Sequence, residues 1–196
     1  TMRIYEFSAT GQLEPAVIPA LAAVGTYRPF SIPTIDISSQ TERHVIVARG
    51  TAEEYKGHPT TLLMPDGKTM FCVYPLGHGG PGAVLRRSDD GGLNWSDPLD
   101  VPENWKESTN CPALYRLVGP DGVERLFVFE GNGRMRQAVS DDGGKTWSAM
   151  KENGLETVMP FTSIIRLADG RFLGGWNRQK ETWISLSADG GLSWGP

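Results

Sequence analysis

Two histidines sit in short glycine- and proline-bearing phrases, His58 in GHP and His78 in GHG, with Tyr55 and Tyr74 nearby along the chain. Imidazole changes charge closer to neutral pH than any other unperturbed side chain. Two of them brought together, with a tyrosine at hand, could take and return a proton. As a metal site the pair is weak, because no clear third ligand accompanies it; no metal and no cofactor are expected. Three arginines form a second group, Arg134 and Arg136 in GRMR and Arg178 in NRQK. A planar guanidinium pairs with a carboxylate in a fork, so these arginines suit an anionic ligand, with Trp176 as a ring surface beside them. Glu130 closes the apolar run LFVFE and is a candidate acid or base. The candidate catalytic residues are therefore His58, His78, Glu130 and Tyr74. The candidate substrate-binding residues are Arg134, Arg136, Arg178 and Trp176. Each has an ordinary reading as well: a histidine bonded to loop backbone, a histidine in a glycine-rich turn, a solvated surface arginine.

What would bring these residues together is a repeat. SDDGGLNW begins at Ser88, SDDGGKTW at Ser140 and SADGGLSW at Ser187. Self-similarity at a period of roughly 50 residues marks a repeat architecture. Upstream of each phrase lies an apolar run broken by Asp-Gly, at Asp66-Gly67, Asp121-Gly122 and Asp169-Gly170. Asp-Gly between apolar runs is a hairpin signal, because glycine accepts the positive φ that such turns need. A third run follows in each unit: AVLRRS, RQAVS and WISLS. A proline, Pro59, Pro112 or Pro160, precedes the first run, as suits a residue without a donor at a strand's start. The unit therefore reads as four antiparallel strands, which is a propeller blade.

The aspartates Asp90, Asp142 and Asp189 can accept hydrogen bonds from their own turns. Trp95, Trp147 and Trp194 offer large apolar faces to pack beside those turns. These residues are expected to be a structural device rather than a metal or catalytic site. With the Asp-rich turns on one rim, the His, Glu and Arg candidates fall on the opposite rim, in loops rich in charge and aromatics. Loops on a rigid scaffold often carry function.

Composition narrows the partners. The formal net charge is −4 with no basic patch, which argues against nucleic acid. No apolar run approaches the ~20 residues of a membrane span, so no membrane partner is expected. Cys72 and Cys111 are too few for a disulfide framework and are expected as buried strand residues. No signal peptide is visible.

The Ser-x-Asp-x-Gly phrases are similar to Asp boxes, also called bacterial neuraminidase repeats. With the run YKGHPTTLLMPDGKTMFCVYPLGHGGPGAVLRRSDDGGLNWS, Tyr55 to Ser96, the chain resembles the sialidase superfamily, most of all the sialidase-like proteins of bacteria. The resemblance implies an all-β fold, a sialidase-type β-propeller of which about three four-stranded blades are present, at 56–103, 109–151 and 157–196. RHVIVARG, Arg43 to Gly50, is expected to add a strand. Residues 40–196 are expected to form the partial propeller. Residues 1–39 fit no repeat, and VIPALAAVG within them reads as a short buried segment or a disordered arm. Because half a ring leaves two faces open, a truncated chain is favoured over a homodimer completing the ring. A secreted or periplasmic location follows from family habit.

The resemblance further implies a glycoside hydrolase, related to exo-α-sialidases, acting on acidic or sialylated glycans. Sialidases use an arginine triad, a tyrosine nucleophile with a glutamate, and an aspartic acid/base. The chain departs from that pattern: His58 stands where the first arginine is expected, and the loop from Tyr74 to Gly82 has no carboxylate and offers His78. Two alternatives stay open, a non-catalytic carbohydrate-binding propeller and a polysaccharide lyase. The ligand expected in each case is a glycan.

Overall fold

The computed structural model describes residues 35–195, together with two short strands, β1 (Tyr5–Phe7) and β2 (Leu13–Pro15), which pair antiparallel. The segment VIPALAAVG lies outside the described residues. By contacts the chain divides into two compact units, Thr1–Thr41 and Glu42–Pro196. The second unit is a partial β-propeller of three antiparallel sheets. Among the described residues, helix is confined to two short 3-10 segments, Thr41–Arg43 and Glu103–Glu107, and no helix is long and apolar enough to cross a membrane.

The first sheet orders β3 (Thr60–Leu63), β4 (Met70–Tyr74) and β5 (Val84–Ser88). The second orders β6 (Ala113–Val118), β7 (Glu124–Ser140) and β8 (Lys151–Thr157). The third orders β9 (Ser163–Arg166), β10 (Phe172–Arg178) and β11 (Glu181–Ser187). Although β7 is continuous in its hydrogen bonding, it is two strands. Its first half pairs with β6 and its second with β8. Glu130 and Arg136 within it form an ion pair, although six extended residues would hold them about 20 Å apart. The chain therefore reverses near Gly133, whose φ is 81°, and the second sheet has four strands.

The other two sheets are shorter than expected. Beside β5 a fourth strand is reduced to backbone bonds from Ser96 to Arg87 and from Leu99 to Leu85, after which the chain turns into the Glu103–Glu107 segment. In the third sheet the fourth position holds one bridge, Leu186 to Gly195. Arg43–Gly50 is not a strand. It forms no ladder; instead, Val45–Ala48 line a cavity with Thr61, Cys72 and Tyr74 of the first sheet. The polar run Lys151–Glu156 is part of β8. Cys72 is buried on β4, and burial pushes its thiol up to about 11, so it stays protonated. Cys111 is only half-buried and precedes β6 rather than lying in it.

Each Asp-Gly turn closes identically, with the glycine N–H donating 3.0 Å to the carbonyl three residues earlier: Gly67 to Met64, Gly122 to Gly119, Gly170 to Leu167. The Ser-x-Asp turns repeat as closely. The Asp90 carboxylate accepts the Leu93 and Asn94 N–H groups at 3.0 and 2.9 Å. Asp142 accepts from Lys145 and Thr146 at 3.0 Å each, and Asp189 from Ser193 at 3.0 Å. Each serine hydroxyl takes the second glycine's N–H, at 2.9 Å for Gly92 and Gly144 and 2.8 Å for Gly191. Trp95, Trp147 and Trp194 each donate Nε1–H back to that glycine's carbonyl.

Two cores flank the second sheet. Phe71, Val73, Leu85, Trp105, Leu126, Val128 and Trp147 fill the space toward the first sheet. Phe127, Phe129, Phe161, Phe172, Trp176 and Trp194 fill the space toward the third. At both seams a turn glycine leaves room for the neighbouring sheet's side chain: a Cβ on Gly144 would lie 2.3 Å from Phe71 Cζ, and one on Gly191 2.6 Å from Leu117 Cδ1.

Gly144→Ala is expected to destabilise the domain by about 2–4 kcal/mol, since it adds both a clash and a positive-φ penalty; chemical denaturation measures it, and a change within about 0.5 kcal/mol would contradict the seam. A second test is pH. Hydrogen bonds from the Asn94 side chain and backbone hold the Asp90 carboxyl down to about 2, and those from Thr146 hold Asp142 lower still. Burial pushes Asp189 the other way, but bonds from Ser193 and Ser187 outweigh it. A depressed folded pKa stabilises above the ordinary carboxylate value near ~4 and is lost as pH falls through the folded one. The melting temperature is expected to drop between pH ~4 and ~2, and Asp142→Asn to flatten that drop.

Candidate functional site

Strand directions put the β4–β5 loop, the turn within β7 and the β10–β11 turn on one rim, together with the residues that lead into β3, β6 and β9. The Ser-x-Asp turns lie on the other. His58 and His78 meet on the first rim: His58 Nε2 is 2.8 Å from His78 Nδ1, with ring centroids 4.6 Å apart. Both side chains are exposed.

Their neighbours explain the meeting. Gly57 precedes His58 and Gly77 precedes His78, and a Cβ on Gly57 would lie 2.3 Å from the Gly77 carbonyl oxygen. Only bare backbone allows this approach. Gly77 N–H donates to Tyr55 O at 2.8 Å, and Lys56 and Leu76 form a bridge. Gly80 is equally constrained, because a Cβ there would fall 1.8 Å from Leu76 O. His58 itself has φ of 36° immediately before Pro59, a combination disfavoured for any residue with a side chain. Among the described residues, the non-glycine residues with positive φ are His58, Asn110 and Gln179, and all three belong to this rim. Strain of this kind is retained where the surroundings over-determine it, and it clusters at functional sites.

In the pair one facing ring nitrogen donates its N–H and the other accepts it, so the contact ties the tautomer of one imidazole to that of the other. No group of three or more His, Cys, Asp or Glu that could hold a metal occurs among the described residues.

Glu130 is 1% exposed, in the second sheet's rim turn. Its carboxylate accepts the Thr109 N–H at 2.8 Å and the Nε–H of Arg136. Arg136 Nη1 lies 3.7 Å from Glu107 Oε2. These groups line a cavity of about 200 Å³ with Arg134 and Glu152. Arg134 forms no ion pair among the described residues, whereas Arg178 pairs with Glu156 and lies 5.2 Å from the Trp183 ring centroid.

Two candidates sit inside the protein. Tyr74 is 2% exposed, and its hydroxyl accepts Arg86 Nε–H at 2.8 Å. Trp176 is 3% exposed, packs edge-on against Phe161 and donates Nε1–H to Glu156 O at 3.1 Å. Its ring belongs to the core and is not open to a ligand, whereas Trp183 on β11 is 40% exposed.

The family model described as a BNR repeat-like domain matches residues 42–196. The chain belongs to that family. No curated protein matches it. Among solved structures, a protein of unknown function from Dyadobacter fermentans is 21% identical with a TM-score of 0.49, covering 70% of this chain and 48% of its own. The Hadza microbial sialidase Hz136 is 20% identical with a TM-score of 0.46, covering 72% and 33%. A Bacteroides ovatus xyloglucan-locus GH43B protein is 18% identical with a TM-score of 0.46, covering 72% and 28%. The chain thus spans less than half the length of each of these structures.

Several further residues of this rim of the BNR repeat-like domain are not among the candidates named from the sequence. Glu107 and Thr109 join Glu130 from the loop before β6, and Glu152 comes from β8. Asn110, at φ 65°, bonds the Val158 carbonyl. Its only sequence signal is asparagine's tolerance of the left-handed region. Because Glu130 is almost wholly buried, Arg136→Ala is expected to cost about 3 kcal/mol by stranding a charge. The double variant Arg136→Met/Glu130→Leu is expected to recover most of it. Denaturation of the three proteins tests this, and additive losses would refute the pairing.

Proposed function

We propose that this BNR repeat-like domain is a sialidase-like glycoside hydrolase acting on glycans, with His58 and His78 as its proton-transfer centre. The observation that carries the reading is the 2.8 Å contact between two exposed imidazoles delivered by separate loops to the loop-bearing rim. A protonated imidazole gives its proton to the glycosidic oxygen as the bond to the anomeric carbon breaks, and water adds to that carbon and returns a proton to the imidazole. The neutral neighbour accepts a hydrogen bond that holds the donor in place. The buried Glu130 carboxylate is already neutralised by Arg136, so it holds the second sheet's rim in shape rather than meeting the scissile bond. Arg136 and Arg178 are each tied to a glutamate. A cradle for the carboxylate of an acidic or sialylated glycan would have Arg134 alone to offer, which weighs the reading toward glycan hydrolysis in general. A lyase is the second reading. It is favoured by the absence, among the described residues, of a carboxylate bonded to either histidine, since a neutral imidazole pair can remove a carbon-bound proton beside a uronic carboxylate.

A glycan panel separates the outcomes. Hydrolysis yields new reducing ends, a lyase yields an unsaturated sugar absorbing in the near ultraviolet, and binding without either product would leave a carbohydrate-binding domain. His58→Ala and His78→Ala are each expected to lower turnover by about 10²–10⁴-fold, with the fold intact by circular dichroism. Undiminished turnover in both would remove the pair from the chemistry.

A further inference from the structure

We infer that the cavity between Glu107, Thr109, Glu130, Arg134, Arg136 and Glu152 is a subsite for a neutral, hydroxyl-rich sugar ring. This rests on the glycan reading above and names the sugar class that this part of the rim receives. The cavity encloses about 200 Å³, and no aliphatic or aromatic side chain lines it. That is below the ~300–1,000 Å³ of sites for drug-sized molecules, which are mostly apolar. The occupant must therefore be small and polar on every side.

Charge decides which polar ligand fits. Three carboxylates face two guanidiniums. Arg136 is set against both Glu130 and Glu107, Arg134 and Glu152 have no ion pair among the described residues, and the lining as a whole keeps one net negative charge. A carboxylated sugar would bring a further negative charge to a site already in negative surplus. Neutral hydroxyls meet no such penalty, because each can donate to a carboxylate and accept from a guanidinium.

The bonding capacity is also unfilled. Arg136 commits Nε to Glu130, but its Nη1 is 3.7 Å from Glu107 Oε2, beyond hydrogen-bond length. Glu152 lies opposite Arg136 in the β7–β8 register yet forms no ion pair with it, and Arg134 forms none among the described residues. One wall is rigid, since Glu130 is buried and fixed by both the Thr109 N–H and Arg136. Rigid acceptors flanked by unfilled donors and acceptors can read adjacent hydroxyls of a pyranose without reorganising.

The test is ligand-observed NMR and calorimetry on the whole 196-residue chain, with D-glucose, D-galactose, D-xylose, D-glucuronic acid, D-glucosamine and N-acetylneuraminic acid as probes. At least one neutral sugar is expected to bind at millimolar concentration with little dependence on salt. Arg134→Ala and Glu152→Gln are each expected to weaken it about tenfold; both residues are exposed, so the fold should survive. Tighter binding of the acidic sugars or of glucosamine, binding unchanged in both variants, or no binding of any neutral sugar would overturn the inference. His58→Ala separates this from the hydrolase reading. Sugar binding that is unchanged in His58→Ala keeps the subsite whatever that variant does to turnover, while sugar binding in the unchanged chain with no turnover of any glycan refutes the hydrolase and keeps the subsite. Turnover without neutral-sugar binding does the reverse.

Discussion

The ring of Phe71 occupies the space where any side chain on Gly144 would have to be. That steric constraint organises the domain. The turn bearing Gly144 is built by Asp142, Ser140 and Trp147, which hold its backbone so that the glycine presents a bare face to the first sheet. The same device recurs with Gly191 beneath Leu117 and Phe127. Because each turn is folded by its own hydrogen bonds, a blade arrives at its neighbour with the docking surface already shaped. The aromatic residues of the two cores then bury against it.

Fixing one rim in this way frees the other. On the Ser-x-Asp rim the repeated serine, aspartate and tryptophan groups bond within their own turns. On the opposite rim, chain segments from different parts of the sequence meet across glycine backbones, and side chains are left to face one another. The contact of Gly57 with Gly77 O is the local cause of the His58–His78 pair. The buried Glu130–Arg136 pair plays the corresponding role in the second sheet, holding the turn in β7 and one wall of a polar cavity.

The repeat was readable because turn chemistry is local. Asp-Gly hairpins and Ser-x-Asp turns depend on residues within four positions of one another, and all three copies form as their spacing implies. Strand count was less readable. A fourth strand needs a partner edge and room beside it, and next to β5 the chain instead follows the buried Trp105, whose indole donates to Ser148 O of the second sheet. Arg43–Gly50 has a strand-like composition, yet no edge is offered to it. Side-chain direction was the hardest to foresee. Trp176 and Tyr74 read as rim residues, but Trp176 falls on the buried face of the alternating strand β10, and Tyr74 ends β4, a strand buried on both faces.

The sequence by itself determined the all-β repeat, its turns, and the presence of histidine, arginine and glutamate in the loops of one rim, because these follow from local backbone preference and period. Only the tertiary structure decided which of those groups act together. Two histidines twenty residues apart, and a glutamate that selects Arg136 over Arg134, are brought together by glycine-permitted backbone approach and by a hairpin whose reversal no composition specifies. Electrostatic partnership falls off within a few ångströms, so it belongs to the folded arrangement rather than to the order of residues along the chain.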